Sequence, residues 1–148
     1  MRLALGSDHA GYLMKAQISG ELGQLGHEVV DLGTHSAEPV DYPDYGAEVG
    51  RAVVSGEVDF GVCICGTGIG IGIAANKIRG VRAAVVHDVS SARLAREHND
   101  ANVVCLGARL IGPSAAVDSV IAFLEAEFQG GRHIPRIAKI SELEAEPQ

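Results

Sequence analysis

"FGVCICGTGIGIGIAANK" (residues 60–77) decides how the rest of the sequence is read. Its first part, Phe60 to Cys65, is an apolar run with the length of a buried strand. The run ends on a thiol, Cys65, and glycines follow at every second position: Gly66, Gly68, Gly70 and Gly72. Ala74, Ala75 and Ile78 then carry a helix. A strand, a glycine turn and a helix make the first half of a parallel β-α-β unit.

The same alternation continues in both directions. Upstream, "RLALGSD" (2–8) reads as a short buried strand that meets a turn. Met14, Ile18, Leu22 and Leu25 recur at helical spacing, and "HEVVDLG" (27–33) is a second strand. After "EPVDYPD" (38–44), Tyr45, Val49, Ala52 and Val53 mark a second helix. Downstream, "RAAVVHD" (82–88) is a fourth strand and "SSARLAREHND" (90–100) a polar-faced helix. "NVVCLGA" (102–108) is a fifth strand, and Val117, Val120, Ile121, Leu124 and Phe128 line a fifth helix. Near-continuous apolar strands alternating with helices predict a three-layer α/β/α fold around a doubly wound parallel sheet, Rossmann-like, in the order 2-1-3-4-5. The crevice of such a sheet opens between the carboxyl ends of strands 1 and 3. Ser7-Asp8-His9 would there face Cys65-Gly66-Thr67.

The bulk composition agrees with this reading. The 148 residues suit a single domain, 1–148, with one core. With 47% hydrophobic and 21% charged residues the protein should be globular. It has no apolar run of about 20 residues, the length of a membrane span. "MRLALGSDHAGY" (1–12) turns polar too soon for a signal peptide. A formal net charge of −7 argues against nucleic acid as a partner, while leaving room for a small anion in a local basic pocket. The three cysteines, Cys63, Cys65 and Cys105, are odd in number and imply free thiols in a reducing cytoplasm. Cys63 and Cys65 share strand parity, so a C-x-C metal site is one reading. Small buried hydrophobes are the other for Cys63 and Cys105.

The glycine loop fits the common phosphate motifs badly. No Lys-Ser or Lys-Thr follows it, which removes the Walker pattern. Gly70, Gly72 and Ala75 satisfy part of the dinucleotide fingerprint, but after the third strand and not the first. A backbone reading fits better. Converging N–H groups and the following helix dipole would stabilise an anion, either a bound phosphate or a transient oxyanion. The same field would favour thiolate at Cys65. Two chemistries stay open on the residues alone: acyl transfer with His9 or His98 as partner, and proton abstraction beside a carbonyl.

Other candidates carry a plain alternative beside the functional one. Asp8 and Thr67 could serve only as helix caps, and His98 only as a dipole partner at its helix end. Asn99 and Asp100 could be a helix stop, and Arg109 an ordinary surface arginine. Arg132, His133 and Arg136 form either a solvated basic patch or a phosphate clamp. Gly130-Gly131 breaks the chain after the fifth helix. The tail beyond, 130–148, expected as a C-terminal helix, holds a further apolar stripe of Ile134, Ile137, Ile140 and Leu143, which either folds back on its own domain or, the favoured reading, docks on a second subunit.

At this point the motifs "GSDHAGY", "VDYPDY", "CGTGIGIGIAANK", "REHNDANV" and "FQGGRHIPRI" resemble, in order and spacing, the type B ribose-5-phosphate isomerases. That family also includes allose-6-phosphate isomerases and the subunits of galactose-6-phosphate isomerase. The resemblance covers nearly the whole chain. It implies a metal-independent aldose–ketose isomerase with no cofactor, forming homodimers or tetramers, and so decides for proton transfer. It implies Cys65 as the base that moves a proton between C1 and C2 through a cis-enediolate. The backbone of Gly66, Gly68, Ile69 and Gly70 would hold the enediolate oxygen. Thr67 and His98 would help to open the furanose ring. Asp8 would handle sugar hydroxyls with Tyr42 and Asn99 in support, and His9, Arg109, Arg132 and Arg136 would bind phosphate. The last two would come from the neighbouring subunit. In a second branch of the family a serine replaces this cysteine and a glutamate deeper in the loop is the base. Here that deeper position is Ile71, which leaves Cys65 as the base. The intact His98 favours a pentose 5-phosphate over a hexose 6-phosphate; a nucleotide-binding module without catalysis is the remaining alternative.

Overall fold

The computed structural model describes residues 1–147. Among these, the strands are β1 (Arg2–Ser7), β2 (Glu28–Asp31), β3 (Phe60–Cys65), β4 (Ala83–Val85) and β5 (Val103–Gly107). The helices are α1 (Tyr12–Gln24), α2 (Tyr42–Val54), α3 (Ile69–Asn76), α4 (Val89–Asn99), α5 (Pro113–Glu125) and α6 (Ile134–Ala145). A 3-10 turn at Gly131–His133 precedes α6. The paired strands are all parallel. One core layer lies under α1, α4 and α5, with Leu3, Leu5, Val62, Ile64, Val104 and Leu106 on the sheet. The other lies under α2 and α3, with Ala4, Cys63, Cys65, Val103 and Cys105. The expected α/β class and three layers are therefore present.

The strand order differs from the expected 2-1-3-4-5: it is β2-β1-β3-β5-β4. The reason is burial. All of β5 is buried, whereas the three residues of β4 are half-buried or exposed. The fully apolar strand takes the place inside the sheet and the short one takes the edge. Right-handed crossovers carry the consequence. Moving from β3 out to β4 places α3 on one face; returning from β4 to β5 places α4 on the other. Ala92 and Ala95 of α4 accordingly pack with Val120 and Phe123 of α5.

The sheet's polarity locates everything that follows. Turns leaving β1, β3 and β5 lie at its carboxyl edge. Each helix that starts there runs back to the amino edge. α5 ends at Glu125, so Phe128, expected on its face, lies in the segment beyond it. Gly130 and Gly131 both take positive φ, 61° and 56°, and turn the chain into the tail. None of the residues of α6 is buried; Ile134, Ile140 and Leu143 stay exposed. Among the described residues no helix is long and apolar enough to cross a membrane.

Candidate active site

β1 and β3 run side by side to the crevice, with Ser7 opposite Ile64. Asp8 continues from β1, and its N–H donates to Ile64 O at 3.2 Å. Asp8 is 7% exposed and Cys65 4%. Oδ1 of Asp8 accepts from the N–H groups of Ala10 and Gly11, at 2.9 and 3.2 Å. These bonds close the turn that precedes α1, whose N-cap is Gly11 with no side-chain cap, so Asp8 does not cap that helix. His9 Nδ1 accepts from Val40 N–H at 3.2 Å, which leaves Nε2 as the donor edge of the ring. Asp8, His9 and the segment Val40–Asp44, including Tyr42, line a cavity of about 450 Å3.

The glycine loop closes against this crevice. Gly68 sits at φ 75°, in the left-handed region, and its ideal Cβ would lie 2.8 Å from the carbonyl carbon of Leu106. Only glycine fits there, and the turn it allows aims the Gly68 N–H at Cys65 Sγ, 3.1 Å away. Ile69 N–H donates to Thr67 Oγ1 at 3.2 Å. The Gly70 N–H, also in the opening turn of α3, meets no acceptor among the described residues, as the first N–H groups of a helix have none within it. The Tyr42 ring lies over Gly70, so close that a Cβ there would fall 2.5 Å from the ring. Arg109 donates its backbone N–H to Gly66 O at 3.0 Å, and its guanidinium packs beside Gly66. Asp8, His9, Tyr42, Cys65, Gly66, Thr67, Gly68, Ile69, Gly70 and Arg109 are thus brought together at the carboxyl edge.

The remaining candidates are elsewhere. α4 begins at the carboxyl edge, where Asp88 Oδ1 caps it by accepting from Ser91 N–H at 2.6 Å. That bond holds the Asp88 carboxyl below the usual range. Ten and eleven residues later, about 15–16 Å along the axis, the helix delivers His98 and Asn99 to the amino edge. There Asp100, at φ 47°, ends it. Arg96 Nη1 and Arg82 Nη2 both hold the Asp100 carboxylate, at 2.8 and 3.2 Å. Arg132, His133 and Arg136 gather at this same end. The His133 ring stacks on His98 with centroids 4.5 Å apart. Burial, then Arg132, His98 and Arg136, push the His133 imidazole below its ordinary value. Arg132 and Arg136 are exposed and carry no acidic partner among the described residues.

Arg132 and Arg136 were expected from a neighbouring subunit, but His98 and Asn99, which the sequence did not set apart from Cys65, lie with these arginines. The candidates therefore form two clusters within one protomer. The length of β5, about 13 Å for five residues, separates their edges. The signal for this was legible: a helix that leaves the carboxyl edge must end at the other one. The larger cavity, about 620 Å3, also opens at the amino edge, between β4, Asn99 and Ile140, Leu143 and Glu144 of α6. It has neither thiol nor open loop N–H groups, so its size does not mark the chemistry.

The other cysteines have the structural role expected. Cys63 and Cys105 are fully buried. The neighbouring Cys105 thiol and burial push the Cys63 thiol well above its ordinary value, which suits an inert sulfur. Ile71, at the position of a glutamate in the second branch, is buried in the core, while Ile73 is exposed.

Known proteins share this fold. The ribose/galactose isomerase family model matches residues 3–140. Ribose-5-phosphate isomerase B of Escherichia coli K12 is 48% identical over 143 residues, 97% of this chain and 96% of that protein. The structure of Clostridium thermocellum ribose-5-phosphate isomerase B superposes with a TM-score of 0.97 at 54% identity, covering 98% of both chains. The Mycoplasma genitalium ribose-5-phosphate isomerase B, solved with bound ribulose 5-phosphate, superposes at 0.94 with 42% identity, over 99% of this chain and 97% of that one. With a thiol seated on a glycine turn and a match along nearly its whole length, the chain belongs to the ribose/galactose isomerase family.

Proposed function

We infer that this protein is an aldose–ketose isomerase that interconverts D-ribose 5-phosphate and D-ribulose 5-phosphate, a reaction of the pentose phosphate pathway. The observation that carries the reading is the Cys65 sulfur held on the Gly68 N–H, beside the buried Asp8 and the open Gly70 N–H. A base next to an oxyanion site is what proton transfer alpha to a carbonyl requires.

The steps follow from the positions. Ring opening breaks the C1–O4 bond: O4 gains a proton and O1 loses one as the aldehyde forms. His98 and Thr67 carry these protons. Cys65, as thiolate, then takes the C2 proton, and the electron pair moves through C1 onto O1. The loop from Gly66 to Gly70 stabilises the resulting enediolate. Asp8, with Tyr42 and Asn99, holds the hydroxyls while the O2 proton passes to O1. Cys65 returns its proton to C1, and the ketose leaves with no atom gained or lost. His9 through Nε2, with Arg109, Arg132 and Arg136, binds the phosphate through charge-assisted hydrogen bonds. The chemistry assigned to these groups needs no cofactor.

Two copies share each site in this reading. His98, Asn99, Arg132 and Arg136 lie at the amino edge and the thiol at the carboxyl edge, so a homodimer that opposes unlike edges completes the constellation twice. The exposed stripe of α6, at the end of the single domain, docks on that partner. Free thiols at Cys63, Cys65 and Cys105 support a cytoplasmic location.

The direct test supplies the purified protein, in EDTA, with the substrate D-ribose 5-phosphate and follows ketopentose. Parallel reactions use D-allose 6-phosphate and the Cys65→Ala variant. Turnover of the pentose, lost in the variant, is expected. No turnover of either sugar by folded protein would remove the isomerase reading.

A further inference from the structure

His133 has no role in the steps above, yet it is placed with care. It is 5% exposed, and its Nε2 is buried without a hydrogen-bond partner among the described residues. An unpaired buried polar atom costs free energy, so packing alone would favour an apolar side chain here. The ring lies 19° from parallel to His98, and the Phe128 ring packs against it at 6.4 Å. Backbone bonds lock the approach. Gln129 N–H donates to Glu97 O at 3.0 Å, the residue before His98, and His133 N–H donates to Gly130 O at 3.1 Å. The titratable and charged groups facing it are Arg132, His98 and Arg136, and burial first, then these groups, push the His133 imidazole below its ordinary value, which disfavours a charged ring. A neutral ring stacks on an imidazole without charge repulsion.

We propose that His133 is a positioning residue: its ring is a platform that fixes the orientation of the His98 imidazole for proton transfer during opening of the sugar ring. The proposal rests on the role given to His98 above. It separates the two halves of the reaction. D-Ribulose 5-phosphate cannot close a furanose, because its O5 is esterified. Exchange of its C1 proton with solvent therefore needs Cys65 and the glycine loop but no ring opening. Conversion of D-ribose 5-phosphate needs both.

The experiment compares the full-length protein with His133→Ala and His133→Phe. It measures isomerisation of D-ribose 5-phosphate and, in D2O, deuterium entry at C1 of D-ribulose 5-phosphate by NMR. For His133→Ala, kcat on the aldose should fall about 10- to 100-fold, the scale of a misplaced catalytic group, with KM little changed. C1 exchange should stay within about threefold of wild type on the same reasoning. His133→Phe keeps the stacked face and should recover most of the lost kcat. Equal losses in both reactions would make the role merely structural and overturn the proposal. A raised KM at unchanged kcat would make His133 a substrate ligand instead, and would overturn it too. If His133→Ala does not fold, a folded His133→Phe that fails in ring opening overturns it alone. Wild-type protein that neither isomerises nor exchanges would instead sink the isomerase reading on which this one stands.

Discussion

The two edges of the sheet are built by different means. At the carboxyl edge the backbone does the work. A left-handed Gly68 turns its N–H onto the Cys65 sulfur, and the opening of α3 leaves the Gly70 N–H for a developing charge. Those groups are covalently tied to a buried strand, so they need no side-chain ordering at the moment of reaction. At the amino edge side chains do the work. His98 is held by a stacked ring and by the helix end that Arg96, Arg82 and Asp100 clamp. With the roles proposed above, one protomer organises the base and oxyanion site alone. It does not bring the proposed ring-opening His98 to them, because the length of a helix lies between.

The largest expected effect tests the carboxyl edge. Cys65→Ala should lower kcat by about 10^4-fold, the upper range for a general base, with the fold intact by circular dichroism. Retained turnover in the folded variant would move the base elsewhere and dissolve the comparison. Next comes a test of the separation. Cys65→Ala and His98→Asn proteins, each nearly inactive, are unfolded together, refolded and assayed. If one site draws on both copies, random pairing makes half the dimers mixed, each with one intact site. About a quarter of wild-type activity should return. Failure to recover any, with mixed dimers demonstrated, would mean that each protomer completes its own site.

Smaller effects sharpen each side. Gly68→Ala places a Cβ against the Leu106 backbone in a left-handed turn. It should cost about 1–3 kcal/mol in denaturant melts and most of the turnover, since relieving that clash shifts the turn and moves the backbone N–H of residue 68 off the sulfur. An alanine variant of wild-type stability and rate would show that the loop does not need the turn. The smallest effect lies away from both clusters. Burial raises the Asp31 carboxyl, but Lys15 Nζ and the Gly33 N–H outweigh it, and the net shift is downward. A carboxyl lowered on folding stabilises above its unfolded value, about 3.9, and that contribution is lost as pH falls through the folded one. Asp31→Asn should therefore reduce stability at pH 7 and flatten its loss in acid. An unchanged acid limb in urea melts would show that the pair contributes nothing to it.

How much of this was legible in the sequence varies by residue. The crevice was readable, because Asp8 and Cys65 each end a buried apolar run, and neighbouring parallel strands carry their ends to one edge. Tyr42 over Gly70 and Arg109 beside Gly66 rested on resemblance, since neither spacing implies contact. The distance of His98 from the thiol was implied by a helix that must cross the sheet. It went unread because motif order along the sequence carries no information about edges. His133 had no signal beyond its basic neighbours: a stacked pair made by residues 35 positions apart has no period to detect.

By itself, then, the sequence determined the elements, the parallel sheet and the thiol-glycine loop. Each depends on residues close along the chain, through apolar periodicity or the steric freedom of glycine. Only the tertiary structure decided that β5 lies inside β4, because that is a competition between two strands for burial on both faces. It also decided that His98 and the tail arginines sit at the edge opposite Cys65. That separation is set by the polarity of a packed sheet and the length of α4, and neither exists until the protein has folded.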